Sequence, residues 1–270
     1  MKKETRVQVS GYAVLGFAML MGVIVLWNSR VTIDKKIIAQ QEAQKPAEIE
    51  LTLISPSDCE VCVDGNELLE AIGNQRNVNV LSSETFAADS EEGKTLLESY
   101  GIQRVPTVLV KGEYDKDNVR GEFEKLGGEE KDDALVLQVR EPVYVDLASG
   151  QMVGLVDVTY LTDSGCEDCY DPTIHKSILE KGFGMKFKTE KTLDARSSEG
   201  RALLAAYAIK QTPTVLLSKE AGAYGGLTAT WAQVGSVEED GTLVFRKNSA
   251  LGALVYEDLE TGETVRPKTD

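Results

Sequence analysis

Apolar and polar positions alternate through Ile49-Glu50-Leu51-Thr52-Leu53-Ile54, a pattern that predicts a strand with one buried face. Ser55-Pro56-Ser57-Asp58 breaks the run and supplies helix N-cap candidates. The spacing of Leu68, Leu69 and Ile72 then predicts a helix opened by Cys59. Residues 78–81 read as a second strand, and residues 90–100 as a second helix with Leu96, Leu97 and Tyr100 on one face. Residues 107–110 read as a third strand, starting directly after Pro106. The same order returns further on: a strand over 156–161, a helix from Cys166 to Leu179, a strand over 185–187, a helix over 197–207 and a strand over 214–217. Past the prolines, 123–127 corresponds to 231–235, and Leu135-Val136 to Leu243-Val244; both copies predict antiparallel strands joined by acidic turns. Each copy closes on Tyr-x-Asp-Leu-x-x-Gly, at Tyr144 and at Tyr256, which predicts a hairpin.

The elements repeat because the residues do. At an offset of 107 (166 − 59), 19 of the 58 positions from 52 to 109 are identical, with no gap. An internal repeat of this length sets the domain count before any other argument. The boundary falls between the first closing hairpin and the next strand, giving domains over 49–154 and 155–270. Residues 30–48 are a polar linker, with Gln40, Gln41 and Gln44 ahead of Pro46.

The N-terminus follows a different pattern. Residues 7–29 carry no charge, and Lys2, Lys3 and Arg6 precede them. The run reaches spanning length, about 20 residues, and Leu26-Trp27-Asn28-Ser29-Arg30 is a poor signal-cleavage site. Residues 1–29 are therefore expected to form an uncleaved, single-pass signal anchor. Positive charges balance on its two sides, so the short N-terminal tail decides orientation, and both repeats are expected outside the cytoplasmic membrane, where disulfides persist. At 270 residues and 42% hydrophobic content, the chain leaves each copy enough to bury a core. A net charge of -15 argues against a nucleic-acid partner, because phosphate contacts need clustered Lys and Arg.

All four cysteines fall into matched pairs, Cys59/Cys62 and Cys166/Cys169, and in each copy 47 positions separate the first cysteine from a proline (106 − 59; 213 − 166). Strand, C-x-x-C, helix, helix, then Pro before a strand resembles the thioredoxin superfamily, over about 49–140 and 156–246. The resemblance implies an α/β fold of two tandem thioredoxin-like domains, each a central mixed sheet flanked by helices, as in two-domain protein disulfide oxidoreductases. It implies cis prolines facing the cysteines, with Val105-Pro106 and Thr212-Pro213 holding an extended substrate chain by the backbone of the residue before the proline. It implies protein thiols and disulfides as substrates, a redox partner protein and no organic cofactor. A cysteine at a helix N-terminus is favoured as thiolate, which makes Cys59 and Cys166 the expected nucleophiles. Cys62 and Cys169, three residues on and on the same helical face, are expected to resolve the mixed disulfide.

The chain departs from that family's pattern in several places. Asp58 and Gly165, not Trp, precede the first cysteines, Glu-Val and Glu-Asp separate the pairs, and Leu53 and Tyr160 stand where thioredoxins place a buried acid. Negative charge beside a thiolate raises its pKa. Against redox exchange stand three other readings: purely structural disulfides, a four-cysteine zinc knot, and a non-catalytic envelope interaction module that keeps the fold. The zinc reading is the weakest and no metal site is expected, because the pairs lie far apart and each travels with its own proline. His175 is read as a surface or half-buried helix residue. Trp231, Phe123, Tyr100 and Tyr207 are read as core, Gly127-Gly128 and Gly225-Gly226 as turns, and Ser90-x-Glu92-Gly93 and Ser197-x-Glu199-Gly200 as helix-capping signals. Titrating thiol alkylation against pH checks the acidity argument: first-cysteine pKa values above about 6 are expected, and values well below it contradict the argument.

Overall fold

The computed structural model describes residues 40–139 and 141–266, with Lys36. The expected anchor over residues 1–29 lies outside the described residues, and among the described residues no helix is long and apolar enough to cross a membrane.

The first repeat is built on β1 (Ala47–Ser55), whose burial alternates as its sequence does, with Ala47, Ile49, Leu51 and Leu53 buried. β1 runs parallel to β2 (Val78–Ala87) and antiparallel to β4 (Thr107–Gly112). The sheet order is β2-β1-β4-β6-β5, with β5 (Glu129–Lys131) and β6 (Ala134–Gln138) forming a hairpin. Three helices cover it: α1 (Gly65–Gly73), α2 (Glu91–Ser99) and α3 (Arg120–Leu126). Alternation in β4 sends Val108 and Val110 to one face, with Ile72 of α1 and Phe123 of α3, and sends Leu109 to the other, with Leu96 and Leu97 of α2 and Tyr100 just past it. Fully burying an aliphatic side chain such as Ile72 or Leu53 stabilises by about 1.5–3 kcal/mol, so these two layers hold the sheet.

The second repeat copies the plan. β9 (Leu155–Thr162) and β10 (Lys186–Asp194) are parallel, β12 (Thr214–Leu217) is antiparallel to β9, and the order is β10-β9-β12-β14-β13. β13 (Gly235–Val237) and β14 (Leu243–Phe245) are its terminal hairpin. α4 (Ile174–Phe183) and α6 (Gly225–Val234) cover one face through Leu179, Leu227 and Trp231, and α5 (Ser198–Ala206) covers the other. β2 and β10 are the outer strands of their sheets, and each carries a bulge at a repeat-equivalent residue, Leu81 or Lys188.

Each copy adds a second, three-stranded sheet. The short strand before the proline, β3 (Arg104–Val105) or β11 (Gln211–Thr212), pairs with a closing hairpin: β7 (Tyr144–Asp146) and β8 (Gln151–Val153), or β15 (Tyr256–Asp258) and β16 (Glu263–Val265). The Tyr-x-Asp-Leu-x-x-Gly motif encodes this hairpin. The Asp146 carboxylate accepts from the Ser149 backbone at 2.8 Å, Leu147 N donates back to Gln103 O at 2.9 Å, and Gly150 turns at φ 67°. Asp258, Leu259 and Gly262 (φ 71°) do the same in the second copy.

Two sequence expectations fail. Residues 123–127 and 231–235 lie almost wholly in helices α3 and α6, because Phe123 and Trp231 fill the core from a helical face, and Gly225-Gly226 opens α6 instead of forming a turn. The capping signals hold: Ser90 Oγ accepts from Gly93 N, and Ser197 Oγ from Gly200 N, both at 2.9 Å. A Cβ on Gly93 would meet Ala87 O at 2.0 Å, and one on Gly200 would meet Asp194 O at 2.0 Å. Ser90→Ala and Ser197→Ala are each expected to cost about 1 kcal/mol in denaturant unfolding, and Gly93→Ala and Gly200→Ala more, because backbone cannot give way.

Candidate functional site

Both C-x-x-C pairs are closed as disulfides, with Cα–Cα distances of 5.4 Å. They do not open helices. Cys59 and Cys62 lie in a turn, and α1 starts only at Gly65, capped by the Asp64 side chain. In the second copy, Pro172 and Thr173 postpone α4 to Ile174, five residues past Cys169. The expectation that a helix N-terminus activates Cys59 and Cys166, and that each pair shares a helical face, is therefore corrected: the turn bonds Cys166 N→Asp163 O and Cys169 N→Cys166 O bring the second pair together. All four cysteines are half-buried.

The peptide bonds Val105-Pro106 and Thr212-Pro213 are cis. In the first repeat, Val105 lines the same cavity of about 500 Å³ as Asp58, which precedes Cys59. In the second, Thr212 is tied to the cysteine turn directly: its hydroxyl donates to Asp163 Oδ2 at 2.7 Å, three residues before Cys166. The backbones expected to hold substrate are already engaged, Val105 opposite Val145 of β7 and Thr212 opposite Glu257 of β15. One further backbone bond in each copy joins the hairpin to the cysteine turn, Val63 N→Val143 O at 2.9 Å and Tyr170 N→Val255 O at 3.0 Å.

The two sites differ in what fills them. Met152 of β8 sets its Sδ 3.6 Å from Cys59 Sγ. In the second repeat the corresponding room holds charge. Arg196 donates through Nε to Asp163 Oδ1 at 2.7 Å and reaches Glu257 at 3.3 Å. A Cβ on Gly165 would meet this guanidinium at 1.9 Å, so glycine before Cys166 makes room for it. The Asp163 side chain is 1% exposed. Burial pushes its carboxyl up, but bonds from Thr212, Arg196 and the Gly165 backbone outweigh that and hold it below the ordinary carboxylate range. Arg266 also pairs with Asp168, inside the cysteine turn.

Behind Cys169 lies a buried polar knot. The Tyr170 hydroxyl donates among Pro213 O at 3.0 Å and Asn248 Oδ1 at 2.9 Å and lies 3.2 Å from His175 Nε2; Asn248 Nδ2 also donates to Pro213 O at 3.0 Å. The cis-proline carbonyl is thus fixed to the residue after the second cysteine. His175, expected at or near the surface, is 4% exposed, because its ring packs edge-on against Phe245.

Asp163, Arg196, Met152, Tyr170 and Asn248 were not singled out by sequence. A signal existed for two of them: at the repeat offset Pro56 becomes Asp163 and Asp89 becomes Arg196, so an acid and a base appear together in one copy only.

No protein-family model matches the chain, and no curated protein matches it at a significant level. Among solved structures, the NTD_N/C domain of alkylhydroperoxide reductase AhpF from Enterococcus faecalis is similar over 67% of this chain and 89% of its own, at 14% identity and a TM-score of 0.21. A mutant of the AhpF subunit from the same organism gives 67%, 88%, 16% and 0.22. ERdj5 (form I) gives 64%, 24%, 12% and 0.17. Overlaps this loose say nothing further of this chain, and the chemistry rests on its own geometry.

Burial pushes the His175 imidazole down to about 4, whereas an unfolded histidine titrates near about 6.5. The unfolded chain thus binds a proton that the native state refuses. The stability held by neutral His175 is complete above about 6.5 and is lost as pH falls through that window toward about 4. Melting temperature is expected to fall more steeply over this range in the wild type than in His175→Leu, which copies Leu68 of the first repeat.

Proposed function

We propose that the chain is a membrane-anchored thiol–disulfide oxidoreductase of two tandem thioredoxin-like domains, acting on protein thiols and disulfides through Cys59/Cys62 and Cys166/Cys169. One observation carries this reading: each repeat places a half-buried C-x-x-C disulfide in a turn near a cis proline, with Val105 and Asp58 lining one cavity in the first copy and Thr212 and Pro213 O bonded to Asp163 and Tyr170 in the second. Exchange needs no cofactor, because the sulfur pair is itself the oxidant or reductant. An incoming thiolate bonds to one cysteine sulfur, the C-x-x-C bond breaks, and its partner leaves as thiolate. A second thiol then completes the transfer, and a redox partner protein restores the starting state. Val105-Pro106 and Thr212-Pro213 form the wall beside which substrate is held. Without a helix N-terminus at the cysteines, and with Glu60, Glu167 and Asp168 beside them, thiolates gain little stabilisation. Such pairs suit stable disulfides of low oxidising power. The charge-free residues 7–29 support an anchor with both repeats outside the cytoplasmic membrane.

A second reading, a non-catalytic envelope module with structural disulfides, draws support from the paired edges at Val105 and Thr212. Insulin-reduction and refolding assays on Cys→Ser variants separate the two. Loss of turnover is expected in the Cys59→Ser/Cys166→Ser double variant, with residual activity in at least one single variant. Turnover that survives the double substitution refutes redox catalysis.

A further inference from the structure

A thiolate that attacks a disulfide must reach one sulfur along the line of the S–S bond. At Cys59 that sulfur already has a neighbour, Met152 Sδ at 3.6 Å. Cys59 is disulfide-bonded and has no proton to give, so this is a packing contact between sulfurs. Met152 is 45% exposed, and it is no core residue. Its place is set by register: Met152 lies opposite Val145, and Val145 lies opposite Val105. The hairpin is joined to the far side of the disulfide as well, through Val63 N→Val143 O. Val145, Leu147 and Met152 line the same cavity as Val105 and Asp58, the residue before Cys59.

The hairpin is held by its two-residue pairing with β3, the backbone bonds Leu147 N→Gln103 O and Val63 N→Val143 O, the packing of Val145 and Leu147 against the core, and the Arg104 guanidinium 5.0 Å from the centre of the Tyr144 ring; no ion pair crosses from it to the cysteine turn among the described residues. The second hairpin has the same backbone bonds plus the ion pairs Arg196–Glu257 and Arg266–Asp168. Thr264 holds the register position of Met152 there, opposite Glu257, and brings no sulfur.

We infer that the first repeat is capped by its own chain: the β7–β8 hairpin is a resident strand lying where an extended cysteine-containing polypeptide docks, and Met152 Sδ marks the place of the incoming sulfur. Substrate takes the edge of β3 in place of β7, in the manner of strand addition. Its thiolate bonds to Cys59 Sγ, the Cys59–Cys62 bond breaks, and Cys62 leaves as thiolate and takes up a proton. The disulfide is the oxidant, and the product is a mixed disulfide that a second substrate thiol resolves, releasing reduced Cys59. The inference rests on the redox reading for its substrate. The cap itself is a property of the disulfide's reactivity and is measured without turnover.

The test is the rate at which each disulfide of the full chain is reduced by dithiothreitol, quenched by alkylation and resolved by peptide mass spectrometry. Met152→Ala removes the sulfur, and Val145→Pro removes the backbone donor facing Val105. Each is expected to speed reduction of Cys59–Cys62 by roughly threefold or more, while Cys166–Cys169 in the same sample stays unchanged. A second arm compares glutathione with a short extended peptide carrying one cysteine between valines. The peptide is expected to outpace glutathione at Cys59–Cys62 and not at Cys166–Cys169. Unchanged Cys59–Cys62 rates in both variants overturn the cap. Equal acceleration of both pairs also overturns it, since that reports general loosening. A peptide with no advantage overturns strand displacement. Absent turnover alongside intact rate effects refutes the oxidoreductase reading and leaves the cap standing.

Discussion

A strand of two residues has backbone donors and acceptors that it cannot satisfy alone. β3 and β11 are such strands, set between a helix and a cis proline, and each is completed by a hairpin from the end of its own repeat. This pairing orders much of the rest. It brings residues 143 and 255 within reach of the residues after the cysteine pairs, so the turn that carries each disulfide is held from both ends of the domain. It also explains why each repeat extends past its main sheet: without the hairpin, the segment before the proline has an open edge beside a disulfide, which is a template for unwanted pairing.

On this shared frame the copies differ in how their polar groups are tied together. Beside Cys59, Val105, Val145, Leu147 and Met152 give one cavity an apolar and sulfur-bearing part, and Ser57, Asp58, Asp89 and Lys94 give it a polar part. Around Cys166 the same positions form a charged and hydrogen-bonded set in which Asp163, Arg196, Thr212 and Glu257 satisfy one another. Breaking one partner of such a set leaves a buried group unpaired, so it resists rearrangement more than an apolar wall does. Tyr170, His175 and Asn248 extend the rigid set beneath Cys169, where the first copy has Val63 and Leu68. The two disulfides thus sit in surroundings of different stiffness.

The main strands, the second helix of each copy, both Ser caps and both closing hairpins were legible in the sequence, because alternation, capping residues and a repeated turn motif are local signals. The cis prolines followed from the resemblance. The start of the first helices was not legible: Cys59 and Cys166 stand where a helix pattern begins, but Asp64 caps α1 after the pair, and Pro172 delays α4. The pairing of β7 and β15 onto the proline strands also escaped, since it joins residues some 40 positions apart (145 − 105) through backbone alone. His175 reads as a surface or half-buried helix residue, and the packing of Phe245 and Tyr170, both outside α4, makes that position interior.

A duplicated domain carries a hazard during synthesis, since a newly made sheet can accept the edge of its twin. β2 and β10 are one such edge of each sheet, and their residues differ between the copies. β2 offers Asn79, Ser82, Ser83 and Thr85 with Glu84 as its one charge, whereas β10 presents Lys186, Lys188, Glu190 and Lys191, all exposed. The bulge in each, at Leu81 and Lys188, interrupts a continuous ladder. Charge on β10 and irregularity in both strands work against strand exchange between the two halves.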